Sequence, residues 1–172
     1  MPPEFGYFIL ICTAAYAVWL VRDLCRPGSI ERWSRALGVF IICYEFGVGF
    51  KLLEVGPELI RFYMSDWAWP GAISGVIALI IRNMMIERWR QRGLTRARIW
   101  MNVVQVNRWA IAALWVLACG YELLTGYAAR LNGGPIENVG SFDWIDIGAY
   151  TLGSLCALAM LQAQARLLKR YL

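Results

Sequence analysis

Five apolar stretches, each long enough to cross a bilayer, recur within a chain of only 172 residues. A spanning helix needs about 17–25 mainly apolar residues, and the qualifying windows are 5–21, 36–53, 68–86, 109–127 and 144–161. Inside hydrocarbon the backbone finds no water to pair with, so segments of this length must bond internally as helices. The expected fold is therefore all-α, a polytopic transmembrane bundle of five helices. Composition agrees: hydrophobic residues make up 59% of the chain, above the roughly 45–50% apolar content of soluble domains.

The charges report orientation. Cations on short loops stay on the cytoplasmic side. Arg22, Arg26, Arg32 and Arg35 lie between the first two windows, and Arg82, Arg88, Arg90, Arg92, Arg96, Arg98 and Arg108 lie in or between the third and fourth. Arg166, Lys169 and Arg170 follow the fifth. The opposite side keeps Lys51, Arg61 and Arg130, so fourteen cations face three. This predicts a multi-pass cell-membrane protein with its amino terminus outside and its carboxyl terminus cytoplasmic. Residues 1–6 carry Glu4 and no cation, the reverse of a secretory leader, so the first helix is expected to remain as an anchor.

The net charge of +5 is explained by this alternation, which leaves no nucleic-acid partner implied. The stretch 87–108 is basic and interleaved with Trp89, Leu94, Ile99, Trp100, Val103 and Val104. That pattern suits an amphipathic cytoplasmic helix lying on the inner leaflet against anionic lipids, or a solvated basic loop that only obeys the positive-inside rule.

Comparing the chain with itself at an offset of 77 residues gives identities running through whole helices. Among them are Ala36/Ala113, Val39/Val116, Tyr44/Tyr121, Glu45/Glu122, Gly49/Gly126, Asp66/Asp143, Trp67/Trp144, Gly71/Gly148 and Ala72/Ala149. Eleven matches in 37 positions, several of them Trp, Asp, Glu and Gly, indicate a copied two-helix unit. The chain then divides into an amino-terminal anchor with a basic loop (1–35), hairpin repeat 1 (36–86), the basic segment (87–108) and hairpin repeat 2 (109–172). Both copies leave and return in the same sense, so a pseudo-two-fold axis along the membrane normal is expected.

The repeats nominate the candidate site. An ionisable carboxyl at membrane depth is costly, so Glu45 and Glu122 are expected to face the bundle interior, as a matched pair for a proton or cation or as structural hydrogen-bonding groups. Gly49 and Gly126, four residues on, share a helix face with their acids and, with Gly71 and Gly148, predict close helix packing. Asp66 and Asp143 stand where helices restart from the outer side, a favoured capping position that also makes both ligand-binding candidates, with Trp67 and Trp144 suited to the aromatic belt. Asp143 with Asp146, one turn apart, is a further ligand candidate.

Histidine is absent, and the five cysteines are scattered with no Cys-x-x-Cys pair, so they suit packing. No zinc-binding, phosphate-loop, nucleophile-elbow or Gly-x-Gly-Asp pattern occurs. A protein without enzymatic activity, metal or cofactor is expected.

The run from Tyr121-Glu122 through Gly140-Ser141-Phe142-Asp143-Trp144-Ile145-Asp146-Ile147-Gly148-Ala149-Tyr150-Thr151-Leu152-Gly153 resembles the VanZ-like membrane families. Those combine a helix-end Glu with Phe-Asp-x-x-Asp-x-x-x-(Asn or Tyr)-x-x-Gly opening the next helix. The resemblance implies a small polytopic envelope protein, one branch being associated with teicoplanin resistance, and it bears on Glu122, Phe142, Asp143, Asp146, Tyr150 and Gly153. Repeat 1 departs from the pattern at Trp69, where the second Asp would fall.

These features point first to a non-enzymatic membrane protein that assembles through its repeated helix faces, as a homo-oligomer or with a partner membrane subunit. Such a protein would offer a polar seam to an ion, a proton or a small solute. A phage holin-like lesion protein and an accessory or scaffold subunit docking through the basic inner loop fit the same features.

Overall fold

The computed structural model describes residues 3–24, 38–131 and 144–172. These form five α-helices and a closing 3-10 turn, with no strand among the described residues: α1 (Pro3–Leu24), α2 (Gly38–Leu53), α3 (Glu58–Gln91), α4 (Arg96–Leu131) and α5 (Trp144–Leu168). The all-α bundle expected from the apolar windows is what the chain forms. Helices α1, α3, α4 and α5 are each long and apolar enough to cross a membrane, the build of a small integral membrane protein. Helix α2, at 16 residues, spans about 24 Å.

Register follows from small residues opposite large ones. A side-chain carbon on Gly6 would strike Leu53, one on Gly49 would strike Leu10, and one on Gly38 would strike Tyr16 and Leu20, so α1 and α2 run antiparallel over their whole length. Helix α2 then returns against α3, with Gly71 beneath the ring of Phe40 and Gly47 against the Ser65 backbone. Helix α3 is central: it packs on α2, α4 and α5. Helices α3 and α5 are parallel, and α4 runs against both.

Helices α3 and α5 cross backbone to backbone. A carbon built on Gly153 would lie 1.6 Å from the Trp67 carbonyl oxygen, so at this position only glycine lets the two backbones meet. The core continues inward from there through Ala68, Ala72 and Ala78 of α3, Val104 and Ile111 of α4, and Ala157 and Leu161 of α5.

Helix α3 has 34 residues and α4 has 36, about 51 and 54 Å of rise, so both outrun a hydrocarbon core of about 30 Å. This corrects the expectation for 87–108. No separate interfacial helix exists there; α3 runs to Gln91, the chain turns, and α4 begins at Arg96. The turn is written locally. Gly93 takes φ +71°, its amide donates to the Arg90 carbonyl and the Leu94 amide to that of Trp89, a Schellman ending. The Thr95 hydroxyl then accepts from the Arg98 amide to open α4. Trp89, Ile99, Trp100, Val103 and Val104 are buried in the core, not presented to lipid. Apolar side chains on two adjoining helices bury one another more completely than a flat leaflet surface could, and α5 covers them with Ala165 and Leu168.

Candidate functional site

Glu45 and Glu122, expected to face the bundle interior as a matched pair, sit on different seams among the described residues. Glu45 faces outward from the repeats, onto α1: the fully buried Thr13 hydroxyl lies 2.8 Å from its Oε2 and 2.8 Å from the Ile9 carbonyl oxygen. Gly49 sits on that same seam. Glu122 is buried on α4 with Gly126 buried one turn further on, and it lies within electrostatic reach of Tyr150 on α5. The physical reason is the odd helix. Helix α1 has no counterpart in repeat 2, and it occupies the face of α2 that carries the acid.

The repeat pair that does converge is Tyr44 and Tyr121. Both line one open cleft of ≈ 430 Å³ between α2 and α4. Its floor comes from α3 and α5, where Ser65, Asp66 and Trp69 meet Tyr150, and Lys51 from the outer end of α2 completes it. The Tyr150 hydroxyl donates to Asp66 Oδ1 at 3.3 Å, and the Trp69 and Tyr150 rings pack edge to face with centroids 6.3 Å apart. Lys51 is the cation whose charge acts on Asp66, and Glu122 and Asp146 act on the Tyr150 end of the cleft. Pro70, one turn beyond Asp66, has no amide proton, which removes the helical donor of the Asp66 carbonyl.

Asp66 is therefore not a helix cap. Helix α3 begins two turns earlier at Glu58, behind Pro57, so the amides near Asp66 are already within a helix and its carboxylate is directed sideways to Tyr150. Trp67 is likewise no belt residue; its ring stacks on Phe40 with centroids 5.1 Å apart. Trp144 is exposed. Gly71 serves close packing against Phe40, whereas its repeat partner Gly148 is exposed and would meet nothing within 4 Å among the described residues. Asp143 and Phe142 lie outside the described residues. Asp146, Tyr150 and Gly153 share one face of α5, and the last two are turned on α3.

Sequence reasoning passed over three contributors to the cleft and one to the α1 seam. Lys51 carried a signal as one of only three cations on the acidic side, Trp69 as the departure from the second-repeat motif, and Pro70 as a proline within an apolar window. Thr13 carried none, because its partner comes from a seam between non-repeated and repeated helices.

Two further grooves lie beside the cleft, of ≈ 440 and ≈ 240 Å³. One, between the outer halves of α3 and α5, is lined by apolar residues such as Leu59, Met64 and Leu152. The other, between α4 and α5, is bridged by a hydrogen bond from Trp115 Nε1 to Thr151 Oγ1 at 2.9 Å. Deeper in the bundle the Ser154 hydroxyl and Asn107 Oδ1 are buried without a hydrogen-bond partner among the described residues. Among the described residues no group of three or more His, Cys, Asp or Glu side chains is placed to hold a metal ion.

The fold and site together define a class: a polytopic helical bundle of membrane-spanning length with an aromatic, charge-bearing cleft between two hairpins. No protein-family model, curated protein or solved structure matches the chain.

Proposed function

We propose that this chain is a non-enzymatic integral membrane protein that binds a small polar solute in the cleft between its two hairpins, on the outer side of the bilayer. The observation that carries the reading is the meeting of the duplicated tyrosines Tyr44 and Tyr121 over Asp66 and Tyr150 in one cleft of ≈ 430 Å³. That size lies within the range of about 300–1,000 Å³ usual for ligand sites, and a few placed polar groups among aromatic walls are their common chemistry. The charge pattern supports amino terminus outside and carboxyl terminus inside, which sets the cleft toward the exterior, since Lys51 and Asp66 lie near the outer helix ends.

Lateral packing into a homo-oligomer, or onto a partner subunit, is consistent with the exposed apolar faces of α1 and α4, such as Phe8, Ile11, Val116 and Leu124. The VanZ-like reading rests on its motif alone; two residues of that motif, Tyr150 and Gly153, lie at the α3 contact. The lesion-forming and scaffold readings rest on size and charge, and no feature of the cleft favours them.

Replacing the five native cysteines and introducing Tyr121→Cys tests the proposal in oriented cells. A membrane-impermeant thiol reagent added outside is expected to modify this cysteine within minutes. Modification only from the cytoplasmic side, or none at all, overturns the reading.

A further inference from the structure

Resting on that reading of the cleft, we infer that its ligand is a zwitterion, with a methylated ammonium at one end and an anionic oxygen group at the other. The cleft carries charges of opposite sign: Lys51 on the α2 wall and Asp66 on the α3 floor, with Glu122 and Asp146 acting on the Tyr150 side. A simple cation would be attracted by Asp66 and repelled by Lys51. A molecule carrying both charges in the opposed order satisfies both, and the arrangement sets its polarity, ammonium toward Asp66 and anion toward Lys51.

The walls specify the kind of ammonium. Tyr44, Trp69, Tyr121 and Tyr150 supply four aromatic rings to one cleft. Aromatic faces attract a cation through the ring quadrupole and need no hydrogen bond from it, the condition a methylated ammonium meets. A primary ammonium has three donors to satisfy. Asp66 Oδ1 already accepts from the Tyr150 hydroxyl, so part of the carboxylate's acceptor capacity is used, and the four rings offer surface in place of further charged acceptors. The anionic end needs only Lys51, whose flexible stem suits a carboxylate or a phosphate as a point charge.

Such a zwitterion has two sources, a soluble solute or a lipid headgroup. The test uses the full chain in nanodiscs of phosphatidylglycerol, titrated with phosphocholine, glycine betaine, phosphoethanolamine and choline by calorimetry. Phosphocholine or betaine is expected to bind saturably, with affinity falling tenfold or more in Asp66→Asn and in Lys51→Met. Choline is expected to bind more weakly and, freed of the Lys51 repulsion, to gain affinity in Lys51→Met. Choline binding as tightly as the zwitterions, or phosphoethanolamine outbinding phosphocholine, overturns the inference.

If Asp66→Asn lowers the folded yield, Trp69→Leu reads the aromatic wall instead, with the same tenfold loss expected. Repeating the titration in phosphatidylcholine discs assigns the source: abolished phosphocholine binding marks the lipid headgroup, retained binding a soluble solute, and either supports the zwitterion. Should choline or inorganic phosphate bind in a manner sensitive to Asp66→Asn or Lys51→Met while no zwitterion does, the cleft reading stands and this inference falls. A Tyr121→Cys thiol that no external reagent reaches removes both.

Discussion

Replacing Gly153 with alanine probes the contact that holds the floor of the cleft together. The added carbon would sit 1.6 Å from the Trp67 carbonyl oxygen, where real contacts are essentially never under 3.0 Å. The obstacle is backbone, so no rotamer change relieves it, and α3 and α5 must separate locally by about 1.4 Å, an overpacking that costs typically 1–3 kcal/mol. Separation also stretches the 3.3 Å bond from Tyr150 to Asp66 beyond useful range, a further loss of about 1 kcal/mol. The expected destabilisation is about 2–4 kcal/mol. For a chain of this size each kcal/mol moves the midpoint by about 2–4 °C, so thermal unfolding in detergent should fall by roughly 5–15 °C. Gly148→Ala supplies the control on the same helix, since it meets nothing within 4 Å; it should be neutral or gain up to about 1 kcal/mol from helix propensity. Equal midpoints for the two variants would refute the crossing.

Three other outcomes follow from the packing. Thr13→Val removes the hydroxyl beside Glu45 and should cost about 1–3 kcal/mol, much of it recovered in the Thr13→Val/Glu45→Leu double variant; a double variant less stable than either single one contradicts that seam. Ser154→Ala deletes a buried hydroxyl that has no partner, so stability in the same thermal assay should hold or rise, and a loss above about 1 kcal/mol would mean the hydroxyl is satisfied. Trp100→Ala empties a buried site over which the Arg82 guanidinium sits 4.7 Å from the ring centroid, and should cost about 3–5 kcal/mol. A surface helix on the leaflet would lose far less, so an unchanged midpoint would restore the interfacial reading of the basic segment.

The helices themselves were legible because burial in lipid imposes one demand on every residue of a span, and average apolarity over the windows records it. Their ends were less so. Glu58, Arg61 and Asp66 lower the apolarity of the first turns of α3, and the arginines do so at its last turns and at the start of α4, so apolarity alone stopped short at both ends. The stop at Gly93 and the restart at Thr95 were written in ordinary capping residues. They lay inside a segment whose alternation of Arg with Trp, Ile and Val fits a leaflet surface and a two-helix seam equally well.

The candidate site was half legible. The duplication directed attention to Tyr44-Glu45 and Tyr121-Glu122, and the structure places the tyrosines, not the acids, in the cleft. Neighbouring residues on a helix point about 100° apart, so a one-position choice changes the facing partner entirely. Which face meets the other repeat depends on where the unrepeated α1 docks. From its own residues alone the chain determined that it folds into apolar helices and which residue types recur along them at a fixed offset. Only the tertiary structure decided that α1 takes the Glu45 face, that Gly153 lets two backbones touch, and that Lys51 and Asp66 share a cleft. The reason is range: helix formation and membrane burial act within a segment and leave a periodic trace, whereas the pairing of faces is a choice among several nearly equivalent packings that no single segment records.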